Sequence, residues 1–130
     1  MSRILAVDPG DKRIGLAISD PTRLIARPLM VLEHTSRDAD VRQIILTAEK
    51  HKASTIVVGV AYDMEGNPGP QARKALRLVK TLGASTSSPV QTWDESGSTQ
   101  AALQIRKSDH LLDARAAAVI LQEYLNAQTD

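Results

Sequence analysis

Residues 3–20, RILAVDPGDKRIGLAISD, decide how the rest of the chain is read. An apolar run, Ile4-Leu5-Ala6-Val7, ends in the carboxylate of Asp8, followed at once by Pro9-Gly10. A second run, Ile14-Gly15-Leu16-Ala17-Ile18, ends near another acid, Asp20. Two strands over residues 3–8 and 13–19, joined by a tight Pro9-Gly10-Asp11-Lys12 turn, make a hairpin. An acid at the tip of a strand that reads as buried has two explanations. Asp8 is a turn residue hydrogen-bonded to the loop backbone, or it is a metal- or phosphate-handling carboxylate presented on a rigid strand.

Further along, LIARPLMVLEH (residues 24–34) predicts a third strand, which Pro28 assigns to an edge or a bulge. Ser36 caps a predicted helix running to about His51, with Val41, Ile44, Ile45 and Ala48 as its apolar stripe. STIVVGV (54–60) is a short continuous apolar run of the kind found in central parallel strands. The Gly- and Pro-rich loop 61–70 leads into a helix over 70–82, with Pro70 suited to its first turn. PVQTWDE (89–95) is a last short strand ending in Asp94 and Glu95. A short helix at 99–106 and a longer one over 112–126 complete the chain. The order β-β-β-α-β-α-β-α-α describes an α/β domain, an antiparallel meander followed by parallel crossovers, with helices packed on a mixed sheet.

The 130 residues make one domain, spanning 1–130, with a genuine core. Hydrophobic content of 42% and charged content of 24% are those of an ordinary soluble globular protein. The lack of cysteine removes disulfides, thiolate zinc sites and cysteine nucleophiles, and suits a reducing, cytoplasmic setting. The first residues lack the layout of a signal peptide, and no apolar stretch approaches the ~20 residues of a membrane helix, so no membrane partner is expected. A net charge of +1 means that any nucleic-acid surface must be a local basic patch. With only 2% aromatic residues and no Phe, the core is aliphatic and a base-stacking surface is disfavoured.

Ligand sites in open α/β sheets lie beyond the carboxyl ends of parallel strands. Asp8 and the pair Asp94-Glu95 occupy such ends. Asp113, in LLDARAAAVILQEYL (111–125), shares a helical stripe with Ala116, Ala117, Ile120, Leu121 and Tyr124, the predicted buried face. The two alanines allow that helix to approach the sheet closely. Clustered, half-buried carboxylates repel one another unless a hard divalent cation, Mg²⁺ or Mn²⁺, neutralises them. Two such ions about 4 Å apart would support phosphodiester hydrolysis. Each acid also has a plainer reading, Asp113 as a first-turn helix acid and Glu95 as a solvated loop residue.

Four segments, VDPGDKRIGLAISD, IVVGVAYDMEGNPGPQA, DE…ST..AA and LLDARAAAVILQEYL, resemble in order and over nearly the whole chain the YqgF/RuvX family. These bacterial proteins of the ribonuclease H-like fold are described as pre-16S rRNA nucleases and as Holliday-junction resolvases. The resemblance implies a five-stranded mixed sheet and an acidic metal site, with Asp8, Glu95 (Asp94 beside it) and Asp113 as metal ligands and catalytic groups. Two departures stand near that site. Where the family carries Asp-Glu-Arg-Leu-(Ser/Thr)-Thr, this chain reads DESGST: Ser96 replaces the Arg, a bidentate phosphate holder, and Gly97 the bulky residue. The stretch from Glu95 to Asp113 is also shorter and less basic, retaining Arg106 and Lys107. In the middle loop, Ala61 stands where the family has Pro, and Asp63 adds an acid.

For nucleic acid, Arg73, Arg77 and Lys80 fall on one side of the 70–82 helix with Lys74 adjoining, opposite Leu76, Val79 and Leu82. That stripe tracks phosphates or is simply the solvated face of an amphipathic helix. Lys12 and Arg13 lie within reach of Asp8. His34, His51 and His110 share no ligand spacing and read as surface or capping residues; Trp93 reads as core packing. The expected activity is a two-metal endonuclease cutting structured nucleic acid, either a four-way DNA junction or precursor 16S rRNA. A non-catalytic nucleic-acid-binding module is the alternative. A lone actin-like ATPase lobe is disfavoured because such enzymes enclose nucleotide between two lobes. Cutting a junction twice would be served by a symmetric homodimer.

Overall fold

The structure, a computed structural model, describes residues 2–95 and 111–128. The hairpin is formed by β1 (Arg3–Pro9) and β2 (Arg13–Ser19). They pair antiparallel, with Asp8 opposite Gly15 and Pro9 opposite Ile14. β3 (Ala26–Glu33) pairs antiparallel with β2 at one edge of the sheet. Its register slips between Met30, opposite Leu16, and Pro28, opposite Ala17, which leaves Leu29 as the extra residue of a bulge. A residue without an N–H is tolerated at an edge and at a bulge, and Pro28 occupies both. β4 (Ala53–Val60) and β5 (Val90–Asp94) run parallel to β1, giving the order β3-β2-β1-β4-β5. The mixed five-stranded α/β sheet is therefore as expected, with β4 an interior parallel strand between β1 and β5.

α1 (Arg37–Lys50) begins at Ser36, whose Oγ accepts from the Ala39 N–H at 3.1 Å. α2 (Pro70–Ser85) runs past the expected end at Leu82, and α3 (Leu112–Gln128) closes the described chain. The helix expected at 99–106 lies outside the described residues. Alternation along the strands sorts the core into two halves. Leu5, Val7, Leu16, Ile18, Ile56 and Val58 face α1 and α2, meeting Val41, Ile44, Leu78 and Leu82. Ile4, Ala6, Ala17 and Val57 face α3, meeting Ala117, Leu121, Tyr124 and Leu125. Each large aliphatic side chain buried this way contributes about 1.5–3 kcal/mol. The buried line of α2 is Ala72, Ala75, Leu78 and Leu82. Leu76 and Val79, expected with Leu82 opposite the basic stripe, are half-buried at its flanks.

Trp93 is a packing residue, as expected. Its ring meets Tyr124 edge-on at 5.7 Å and 86°, and the Tyr124 hydroxyl is hydrogen-bonded to Gln91. Asp20, the second acid of the hairpin, caps the β2–β3 loop, accepting from the N–H groups of Leu24 (2.8 Å) and Ile25 (2.9 Å). Those backbone N–H groups and the Thr22 hydroxyl hold its carboxyl down at about 2. Among the described residues, no helix is long and apolar enough to cross a membrane.

Candidate active site

β1 carries Asp8 to the carboxyl end of the central strand, on the same face as Ile4 and Ala6 and hence towards α3. Its neighbour across β2 is Gly15. The parallel register, Val7 against Val58, makes Gly59 its neighbour on β4. Asp8 thus sits in a row Gly15–Asp8–Gly59 in which neither flanking strand supplies a side chain.

Both glycines are required by what crosses above them. A Cβ on Gly15 would lie 1.9 Å from the backbone oxygen of Asp113, so the first turn of α3 rests directly on β2. A Cβ on Gly59 would lie 2.8 Å from Glu95 Oε2 and 2.9 Å from Ile120 Cδ1. The space above β4 is therefore filled by the Glu95 carboxylate. Glu95 follows β5 directly, and its N–H donates to the Val60 carbonyl at 3.0 Å. Asp94 belongs to the opposite pleat. It pairs with Val60, whose side chain packs with Ala72 and Ala75 of α2, whereas Trp93 pairs with Gly59 on the α3 face. Of the two adjacent acids, Glu95 meets Asp8 and Asp94 points away.

Electrostatics follow from this crowding. Burial pushes the Asp8 carboxyl up to about 8, helped by the charges of Glu95 and Asp113 and by a hydrogen bond with Glu95. Glu95 is pushed up to about 7, first by burial and then by Glu123, with Asp94 adding to it and the hydrogen bond with Asp8 opposing it. The two carboxyls behave as one unit that holds a proton near neutrality. Asp113 has a cation of its own: Arg13 Nε donates to its Oδ2 at 2.8 Å, across the mouth of the hairpin.

A cleft of about 250 Å³ opens over these groups, lined by Asp8, Gly59, Ala61, Glu95, Pro9, Gln71 and Ala75. Gln71 is positioned from the hairpin turn, where its Nε2 donates to Asp11 Oδ2 at 2.7 Å and Lys74 Nζ lies 3.4 Å from Asp11 Oδ1. Of the other basic residues, Arg73 donates to the Pro68 carbonyl at 3.0 Å. Lys12, Arg77 and Lys80 are exposed at the surface.

Asp8 and Glu95 present only hard oxygen donors, and their raised pKa values mark a place short of positive charge. That chemistry suits Mg²⁺ or Mn²⁺, which is held by one or two carboxylates while keeping waters for exchange with phosphate. Among the described residues, no three His, Cys, Asp or Glu side chains stand close enough together to enclose an ion. Asp113 is turned to Arg13 instead.

A family model described as RuvX, Holliday junction resolvase, matches residues 2–127. The chain belongs to the RuvX family. Its curated relatives include a "Putative pre-16S rRNA nuclease" of Anaeromyxobacter sp. (strain Fw109-5), 37% identical, covering 97% of this chain and 98% of the relative. A protein of the same name from Desulforudis audaxviator is 35% identical, covering 97% of this chain and 95% of that one. Among solved structures, Thermus thermophilus RuvC in complex with a Holliday junction superposes with a TM-score of 0.65 at 16% identity, covering 99% of this chain and 96% of that one. Fowlpox virus resolvase with its junction DNA gives 0.61 at 14% identity, covering 98% and 99%. The RuvX chain therefore has the ribonuclease H-like fold of these resolvases, and its relatives carry nuclease names.

Sequence reasoning placed Asp8, Glu95 and Asp113 at one end of the molecule, where the fold brings them. It passed over Gly15 and Gly59; a glycine inside each of two apolar strands was the available signal for close approach. It also read His34 as a surface or capping residue. His34 Nδ1 pairs with the buried carboxylate of Asp40 in the first turn of α1, because burial there requires a partner. Ser96, Gly97, Arg106, Lys107 and His110 lie outside the described residues.

Proposed function

We propose that this RuvX chain is a divalent-metal-dependent endonuclease acting on structured nucleic acid, with Asp8 and Glu95 as the central metal ligands and Asp113 completing the site. The observation that carries this reading is the side-chain-free row around Asp8, which lets Glu95 and the start of α3 converge on one carboxylate. When bound, Mg²⁺ or Mn²⁺ supplies Lewis-acid stabilisation of a phosphodiester in hydrolysis.

The chain's own groups do the rest. Asp8 and Glu95 together hold a proton near pH 7 and release it as positive charge arrives. Arg13 keeps Asp113 aligned in the absence of substrate, and its guanidinium, planar and permanently charged, is suited to move to a substrate phosphate and leave Asp113 to the metal. Gln71 and the hairpin turn form the opposite wall of the cleft. Lys12, Arg73, Arg77 and Lys80 supply a basic surface for phosphates on the hairpin and α2. Asp94, on the opposite pleat, is not assigned to the metal. The relatives' names favour precursor 16S rRNA as substrate, and the family description and the solved neighbours favour branched DNA.

The test is cleavage of a four-way DNA junction and of a precursor 16S rRNA fragment, with Mg²⁺ or Mn²⁺. Cutting that needs metal and falls about 10²–10⁴-fold in Asp8→Asn is expected, the loss matching several kcal/mol of metal-borne stabilisation. Binding of both substrates with no cutting under any metal would establish the non-catalytic module instead.

A further inference from the structure

A second cavity, of about 240 Å³, lies between the start of α1 and the first half of α2. Its aliphatic floor is nearly closed: Ile14, Ala75 and Leu78 are 2%, 4% and 5% exposed. What the cavity offers a ligand is therefore its polar rim, whose basic members are His34, Arg37, Lys74 and Arg77. Arg37 and Arg77 make no side-chain hydrogen bond or ion pair among the described residues, whereas Lys74 has Asp11 at 3.4 Å. Asp40, the acid in the lining, is engaged at both oxygens: one meets His34 Nδ1 and the other accepts from the Thr35 N–H at 3.2 Å. Holding the ring by Nδ1 leaves Nε2 as the His34 nitrogen available to the cavity.

The charge pattern of α2 points to an anion independently. Its charged residues, Arg73, Lys74, Arg77 and Lys80, are all basic. Arg77 stands about one turn from each of the other three, so like charges face one another along the helix, and that arrangement is destabilising. Arg73 and Lys74 also lie close to a helix start that carries no acid, where the dipole disfavours cations. A face built only for solvation mixes signs, as α1 does with Asp38, Arg42, Glu49 and Lys50. A bound anion relieves the repulsion on α2, and Arg37 meets it from α1. The cavity is smaller than the roughly 300–1,000 Å³ pockets that enclose drug-sized ligands, which suits a small polyatomic anion. Guanidinium groups match the oxygens of phosphate in pairs.

We propose that this cavity seats a phosphate group, with Arg37 and Arg77 on its oxygens and His34 Nε2 donating a further hydrogen bond. To donate from Nε2 while Nδ1 stays on Asp40, the ring carries both protons, so binding draws a proton onto His34. The charged groups around that ring are Asp40 and Arg37 from α1, Lys74 and Arg77 from α2, and Glu33 beside it in the chain. Lys12 of the hairpin turn joins them, its carbonyl accepting from the His34 N–H at 2.9 Å. A nucleic-acid backbone phosphate and free inorganic phosphate share this chemistry. Only the source of the phosphate rests on the nuclease reading, under which it belongs to the substrate backbone.

The experiment measures binding without metal, in chelator, so that it does not depend on cleavage. Calorimetry would titrate inorganic phosphate into the full chain, and fluorescence anisotropy would follow a labelled RNA hairpin. Both would be repeated with Arg37→Gln/Arg77→Gln and with Arg42→Gln/Lys50→Gln, which removes the same charge from later turns of α1. The Arg37/Arg77 variant should lose about tenfold for phosphate and for the hairpin, with the hairpin's salt dependence shallower by about one to two units of slope. The Arg42/Lys50 variant should change little. His34 has its own readout. Its imidazole resonances, identified by their loss in His34→Asn, should move as phosphate is added, and binding should take up protons, seen as a heat that depends on the buffer. His34→Asn keeps a donor for Asp40 and should still weaken phosphate binding. Equal losses in both double variants, or phosphate-dependent shifts at the other histidines and none at His34, would overturn the seat. So would undetectable phosphate binding together with unchanged hairpin affinity in the Arg37/Arg77 variant. Phosphate binding lost in that variant with hairpin binding unchanged would overturn the substrate source in favour of a free anion. A hairpin loss confined to that variant, in a protein that cuts neither junction nor precursor rRNA, would sustain the seat and sink the nuclease reading alone.

Discussion

The two faces of the sheet are built from the same strands by opposite means. Towards α1 and α2, β1 and β2 present Leu5, Val7, Leu16 and Ile18, and the helices are held off by interdigitating aliphatic side chains. Towards α3, the same strands present Ile4 at one end and then Ala6, Asp8, Ala17 and Gly15, and over Gly15 the helix comes down until its backbone meets the strand. The bulky face tolerates the loss of a methylene by partial collapse. The bare face has no slack, because a missing Cβ cannot be replaced without moving α3. Volume fills one face, and absence of side-chain volume beside Asp8 makes room for Glu95 and the start of α3 on the other.

The sharpest way to break this contrast is Gly15→Ala. One methyl placed 1.9 Å from the Asp113 backbone oxygen must displace the start of α3. A loss of about 3 kcal/mol or more is expected in urea unfolding, larger than Ile→Val substitutions on the α1/α2 face at about 0.5–1.5 kcal/mol. A Gly15→Ala variant as stable as the wild type would show that the helix is not seated on β2.

The acids provide a second test. Asp8 and Glu95 are raised from 3.8 and 4.5 to about 8 and about 7, so the folded state holds protons that the unfolded chain releases. Their contribution to metal-free stability is full below about pH 4 and is lost as pH rises through 7 and 8. Thermal melts in chelator should therefore fall from weakly acidic to weakly basic pH. Asp8→Asn should flatten that fall and gain roughly 1–3 kcal/mol at about pH 8, while abolishing tight Mn²⁺ binding in calorimetry. A metal-free melt that rises over this range would remove the buried carboxyl pair.

Gly59→Ala should cost less than Gly15→Ala, about 1 kcal/mol, because its new methyl meets the movable ends of Glu95 and Ile120 rather than backbone. It should nonetheless weaken Mn²⁺ binding about tenfold by turning Glu95 away from Asp8. The smallest effect belongs to Arg13→Gln. The pair with Asp113 is 55% and 34% exposed, and removing it should leave the urea midpoint nearly unchanged because water screens such a pair. The same change should lower substrate affinity if Arg13 moves to phosphate, and unchanged affinity would confine it to holding Asp113.

Much of the site was legible along the chain. Asp8 closes an apolar run, and Asp113 opens a stripe that continues through Ala116, Ala117 and Ile120, patterns set by strand and helix periods over a few residues. The same local rules located the Ser36 cap, the Pro28 bulge and the hairpin. What stayed hidden depends on which residues become neighbours across strands. Nothing local distinguishes Asp94 from Glu95; the pleat of β5 against β4 turns one towards α2 and the other onto Asp8. The pair Arg13–Asp113 joins two ends of the chain, and the partnership of His34 with Asp40 follows from how deeply α1 is buried.

Local sequence thus dictated the elements, their order and the acids they carry, because backbone periodicity and turn chemistry act over short stretches. Tertiary packing made Gly15 and Gly59 the flanks of Asp8 and brought Glu95 over one and α3 over the other. Those are consequences of strand register and helix seating, which are set by the packing of the whole core.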